Sequence, residues 1–297
     1  MTETAITEQT AGQTAEWKTI RLQVIERVEN LPSLSTVVHE FMALSKREYF
    51  TAKDFERVII KDQGLVARLL KVANSGFFGT NREIKTIPEA VVLVGLDNMK
   101  NMVFAVSTGG MMRQELRSYL YPDKGFWLHA MGVGMTSRAL CEAARSVTFS
   151  GEEAFVAGLL HDVAKLTIDE FLDPTAGPRP ITPDEEKAAC GMDHTELAEH
   201  VMKMWKLPQA IADAVRFHHT PLQGDQWHEG AAVVQLADII CNTWGIGTQA
   251  LMDLGEDIDP DEHAELLEKL GISGQDLPKL LLMARQKLAN LQNSYDD

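Results

Sequence analysis

Ala154-Phe-Val-Ala-Gly-Leu-Leu-His-Asp-Val-Ala-Lys-Leu166 is an apolar run broken by one imidazole, one carboxylate and one lysine. His161 and Asp162 do not belong there by burial preference, because an unpartnered polar group in an apolar setting costs roughly 1–3 kcal/mol. The pair needs a hydrogen bond, an ion-pair partner or a metal ion. Glu152–Leu172 reads as one helix, on which neighbouring side chains diverge by about 100°. One member of the pair can then bind an ion terminally while the other bridges to a second ion or holds a water.

Outward from this run the periodicity is helical almost everywhere, and strand signals are scarce. Towards the N-terminus, helices are expected over Glu16–Val28, Leu34–Lys46, Ala52–Lys61, Leu65–Asn74, Glu89–Val94 and Asp97–Met112. Thr51 caps one of them, Pro88 suits the first turn of another, and Gly95 ends it. Ser75–Gly79 reads as a loop, in which Asn74-Ser75 closes a turn. Tyr121-Pro-Asp-Lys-Gly125 stops the preceding helix and is the best candidate for a joint. Beyond it, helices are expected over Phe126–Arg145, Asp193–Trp205, Gln209–His218 and Gly230–Trp244, with Asp173–Pro183 as a loop. Two more helices within Asp259–Leu291 are split by Gly271 and Gly274. The expectation is an all-α, two-lobed helical bundle: a disordered leader over 1–16, an N-terminal lobe over 17–125 and a second lobe over 126–297.

Composition narrows the function classes. The formal net charge is −15 over 297 residues, and no Lys/Arg run is long enough to track a phosphate backbone. Direct nucleic-acid binding and docking on anionic lipid are both disfavoured. The apolar stretches fall well short of the ~20 residues a membrane span needs. Cys141, Cys190 and Cys241 are odd in number, widely separated and outside any CxxC pattern, so reduced thiols in the cytoplasm are expected.

The second lobe collects His129, His161, Asp162, His194, the pair His218-His219, and Asp238 within Val234-Gln-Leu-Ala-Asp-Ile-Ile240. Several helices each giving one or two inward N/O ligands is how helical bundles build metal centres. Imidazole with carboxylate suits one or two Fe, Mn, Zn or Ni ions better than Ca, and no organic cofactor is indicated. Each residue also has a plainer reading. His161-Asp162 can be a structural pair, His129 a satisfied core histidine, and His194 part of a helix cap beside Asp193. His218-His219 can be a helix-end pair, and Lys165 a solvated lysine. His39, His200, His228 and His263 are assigned no role.

The motifs resemble those of the HDOD family, bacterial signalling relatives of the HD-domain phosphohydrolases. The first lobe carries Leu31-Pro32-Ser33-Leu34, Asp62-Gln-Gly-Leu65, Ala73-Asn74-Ser75, Ala90 and Leu93-Val-Gly95. The second carries Phe126-Trp127-Leu-His129, Gly158-Leu-Leu-His-Asp162 with Lys165, Asp193-His194, Trp205-Lys-Leu-Pro208 and His218-His219-Thr-Pro221. The resemblance implies an HD-like second lobe and an output or interaction module without enzymatic competence. It also implies that His129, His161, Asp162, His194, His218, His219 and Asp238 match the metal positions of active HD-GYP relatives, with Lys165 at the lysine of HDxGK and Ala164 replacing its glycine. Those phosphodiesterases follow their His-His with an acidic residue and a DG…GYP segment. This chain reads Thr220-Pro-Leu-Gln-Gly224-Asp-Gln-Trp227, keeping only the glycine.

Two main readings follow. In the first, the chain is a regulatory module that contacts a signalling protein and retains a metal-capable site. In the second it is a metal-dependent phosphohydrolase with a binuclear centre, in which Lys165 steadies developing charge. A nucleotide or cyclic-dinucleotide ligand held without chemistry is a third, weaker reading.

Overall fold

The computed structural model describes residues 18–45, 47, 49–74, 83–173, 181–223, 226–248 and 258–293. The expected leader, Ser75–Gly79, Gly224 and the chain beyond residue 293 lie outside them.

The first six helices are α1 (residues 18–29), α2 (Thr36–Ser45), α3 (Ala52–Ile59), α4 (Gln63–Ala73), α5 (Ile87–Val94) and α6 (Leu96–Met112). Local chemistry fixes their ends. Reciprocal capping boxes start α3 at Thr51/Asp54 and α5 at Thr86/Glu89, where Pro88 occupies the first turn. At the end of α4 the Asn74 side chain holds both the amide and the carbonyl of Ile84. The tight hairpin that follows α6 pairs Leu116 with Tyr121 and carries Leu120 at φ 61.

After Lys124 come α7 (Gly125–Ala143), α8 (Gly151–Leu160), the short α9 (Lys165–Ile168), α10 (Pro183–Cys190), α11 (His194–Met204), α12 (Gln209–Arg216), α13 (Glu229–Thr243), α14 (Ala264–Leu270) and α15 (Leu277–Asn293). Helix α7 is almost wholly buried and packs along α8, α13 and α15. A two-stranded ribbon, β1 (Leu222–Gln223) and β2 (Gln226–Trp227), follows the His pair.

One expectation is corrected, and one helix is additional to those expected. The helix expected over Glu152–Leu172 stops at Leu160, and residues 161–164 form turns closed by i→i+3 hydrogen bonds before α9 begins. Of the loop expected over Asp173–Pro183, residues 174–180 lie outside the described residues; at its end Thr182 and Glu185 form a capping box that starts α10 at Pro183, a helix not expected from the sequence. Among the described residues no single helix is long and apolar enough to cross a membrane.

Candidate metal centre

Helices α7 and α8 approach closely because each offers a glycine at the crossing. A Cβ on Gly134 would lie 2.9 Å from the Phe155 carbonyl oxygen, and one on Gly158 would lie 2.6 Å from Ser137 Oγ. This proximity sets His129 of α7 beside His161, their ring centres 5.4 Å apart. Directly after α8, His161 Nδ1 lies 2.7 Å from the Gly158 carbonyl, which can only accept, so Nδ1 carries the proton and Nε2 faces inward. His129 is held likewise, with Nδ1 3.2 Å from the Ile246 carbonyl. Gly247, at φ 88, lets that segment reach α7, since a Cβ there would clash with His129 itself. Asp238 of α13 completes this group, its Oδ1 3.1 Å from His129 Nε2 and 3.5 Å from His161 Nε2.

A second group forms opposite. His194 is the first residue of α11, and Asp193 caps that helix by accepting from Glu196 N at 2.8 Å. The cap and the inward imidazole thus coexist in one dipeptide. Helix α12 ends at Arg216, and the turn beyond it swings both rings of the His pair inward. Nε2 of His218 lies 3.5 Å, and that of His219 3.1 Å, from His194 Nε2. His218 Nδ1 donates to the Val215 carbonyl at 2.8 Å. Asp162 stands between the groups. Its Oδ2 lies 3.3 Å from His161 Nε2, and its Oδ1 lies 3.2 Å from His194 Nε2 and 4.0 Å from His218 Nε2.

All seven residues singled out in the sequence therefore converge. The divergence of His161 from Asp162 comes from a turn rather than from helical geometry. Lys165 is not a solvated lysine: its Nζ bonds Asp162 Oδ2 at 2.6 Å and lies over the Tyr119 ring. Sequence reasoning missed Glu186 and Tyr119. Glu186, on α10, is fully buried; its Oε2 accepts from His194 Nδ1 and His194 N, both at 2.7 Å, and its Oε1 accepts from Tyr119 Oη at 2.7 Å. The usable signal was the Thr182-Pro-Asp-Glu185 start of a helix leading into Asp193-His194.

Charge in the centre is unevenly distributed. Burial opposes a charged His161, but Asp162 and Asp238 outweigh it and raise the imidazole to about 10. Burial also opposes charge on Asp162 and Asp238, yet the surrounding imidazoles hold both well below the usual carboxylate range, helped at Asp162 by Lys165. His218 is depressed by burial and neighbouring rings; burial and His194 bring His219 down to about 4. Glu186 is lowered: burial works against its charge, and the hydrogen bond from His194 prevails.

The residues fit a metal ion. His129 Nε2, His161 Nε2 and Asp162 Oδ1 are buried and make no hydrogen bond, although each has an N or O neighbour within 3.3 Å. They lie 3.1 to 3.5 Å from carboxylate or imidazole neighbours without the geometry of a hydrogen bond, and a cation among them would satisfy all of them at once. Ligand atoms of His129, His161 and Asp162 lie within 4.8 Å of one another, as do those of His194, His218 and His219. Backbone carbonyls behind Nδ1 of His129, His161 and His218 are the outer support that metal-binding imidazoles ordinarily have.

The HDOD domain profile matches residues 31–221 of this chain. The chain belongs to the HDOD family. An uncharacterised protein of Treponema pallidum (strain Nichols) is 26% identical to the HDOD chain over 204 residues, covering 66% of this chain and 39% of that protein, so the match spans well under half of the relative. Among solved structures, the HDOD chain is similar to an HDOD domain protein of unknown function from Geobacter sulfurreducens, with a TM-score of 0.63 and 20% identity over 90% of this chain and 98% of that one. A candidate metal-dependent phosphohydrolase from Shewanella amazonensis SB2B gives a TM-score of 0.58 and 16% identity over 93% and 99%. A candidate signal transduction protein from Marinobacter aquaeolei VT8 gives 0.68 and 18% over 94% and 64%. At these identities the likeness speaks for the shared helical fold.

Proposed function

We propose that this HDOD protein is a regulatory module whose second lobe binds divalent metal, and that it passes a signal by contacting another protein. The observation that carries the metal reading is the set of three buried ligand atoms without hydrogen bonds, Nε2 of His129 and of His161 in one group and Asp162 Oδ1 facing the other, while the far side of each of those two rings is tied to backbone. His129, His161, Asp162 and Asp238 would hold one ion, and His194, His218, His219 and the other oxygen of Asp162 a second. The donor set suits Fe, Mn, Zn or Ni. Three buried free thiols accord with a cytoplasmic location.

Elemental analysis of protein purified without chelator tests this. Metal is expected in the wild type and absent from a His161→Ala/Asp162→Ala control. Equal metal in both would defeat the reading.

One observation favours phosphohydrolase activity as a second reading: the centre is open to solvent at His219 and partly at Asp238. A bound divalent ion supplies Lewis acidity and a water of lowered pKa. Lys165 stands beside the centre, with its ammonium on Asp162. Against this reading, the HD-GYP substrate segment is replaced by the β1–β2 ribbon, where Trp227 packs under the Lys269 ammonium. Turnover of a phosphodiester panel that His161→Ala abolishes would move the assignment to the enzyme.

A further inference from the structure

The two halves of the centre are unequally supplied with negative charge. The first has two carboxylates in direct reach, Asp162 and Asp238. The second has three imidazoles and only Asp162 Oδ1, from a carboxylate whose other oxygen is already paired with Lys165 at 2.6 Å. Three imidazoles and one oxygen of a carboxylate shared with the first half give a divalent cation less counter-charge than the first half, which also has Asp238.

Glu186 supplies what is missing. His129, His161 and His218 each lean on a backbone carbonyl through Nδ1, whereas His194 leans on a fully buried carboxylate 2.7 Å away. A carboxylate behind an imidazole makes the opposite nitrogen a stronger donor and fixes the plane of the ring. Glu186 is itself fixed, by Tyr119 Oη and by the backbone amide of His194, both at 2.7 Å. Burying an ionised carboxylate is costly, and an apolar side chain would pack α10 against α11 without that cost.

Building on the metal-binding reading, we propose that Glu186, held by Tyr119, is the positioning residue that equips the His194–His218–His219 half to hold a second divalent cation. The chain then takes two ions, and the second depends on a residue that touches neither.

The test is Mn2+ and Co2+ titration of the full chain after metal stripping, with bound ions counted by elemental analysis. The wild type is expected to take two ions. E186Q keeps the shape and can still accept from His194 but lacks the charge. It is expected to lose affinity for the second ion by about 10- to 100-fold, with the first within about twofold. The change in the visible Co2+ spectrum is expected to be confined to the second equivalent. Y119F, which removes one bond to Glu186 and leaves every ligand in place, should show a smaller loss at the same ion, and it decides the matter if E186Q fails to fold. A merely structural Glu186 predicts lowered stability with both affinities unchanged, which overturns the proposal, as does a wild type that takes one ion. A wild type that takes none removes the metal reading on which the proposal rests.

Discussion

His161 sits among groups that pull it in opposite directions. In the ion-free centre Asp162 and Asp238 keep it protonated, with its pKa raised to about 10 from the ordinary 6.5. A cation placed among the same carboxylates reverses that field and requires the neutral ring. Metal binding near neutral pH must therefore expel a proton from His161. His218 and His219 expel none, because burial and the neighbouring rings hold His218 well below the ordinary imidazole range and His219 is neutral above about pH 4. Affinity should rise by about tenfold per pH unit between pH 6 and 8, and calorimetry in two buffers of different ionisation enthalpy should detect about one released proton. A pH-independent affinity would contradict the charge state assigned here. Without metal the sign is opposite. A raised imidazole stabilises the fold fully below about 6.5 and loses that contribution as pH climbs through about 10. The seven centre residues were legible in the sequence because most are polar intrusions in apolar runs. Glu186 was not, because Asp184-Glu185-Glu186-Lys187 reads as a solvated charge run. Its burial follows from where α10 docks, against the Tyr119 hairpin and the start of α11.

At the scale of elements, the centre depends on one crossing and several helix ends. The break after α8 left little trace in the sequence, since His-Asp-Val-Ala-Lys contains neither Gly nor Pro. It arises because the Gly158 carbonyl is taken by the His161 ring, and the chain continues in i→i+3 turns. The helical class and most helix positions were legible from periodicity and capping residues, while the tightness of the α7–α8 crossing was not, because it is set by two glycines meeting across the chain. Gly158→Ala tests that crossing. Its Cβ would meet Ser137 Oγ at 2.6 Å, the Val133 carbonyl at 2.8 Å and Gly134 Cα at 2.9 Å. Two of these are backbone atoms that cannot swing aside. The variant should lose about 1–3 kcal/mol of stability, read by urea titration of ion-free protein. It should also bind metal more weakly, because His161 hangs three residues beyond the glycine on the displaced helix end. Wild-type stability and affinity together would show that the helices do not meet as closely as described.

Across the whole molecule the core does not divide where the sequence suggests a joint. Tyr121–Gly125 is a turn, with Lys124 at φ 67, and we retain it as a proposed boundary between lobes. Yet one apolar cluster runs from Val24 of α1 to Ala284 of α15. The bridge is α6, which packs on α2, α4 and α5 on one side and on α7 and α8 on the other, burying Met99, Met102 and Val103. An ion held between α7, α8 and α13 should therefore stabilise helices that lie far from it. At free metal of about 100 times Kd a single site contributes about 2.7 kcal/mol, which for a chain of this size raises Tm by about 5–10 °C. Continuity of the core requires the gain to appear in one cooperative transition, reversed by chelator, and hydrogen exchange to slow at the best-protected amides of α2–α5 as well as in α7 and α8. Two transitions, of which only the later responds to metal, would mean that the lobes unfold separately and that α6 does not couple them. Coupling of this kind would let occupancy of a buried centre alter a distant surface, and the placement of α6 makes α2–α5 the place to look for it.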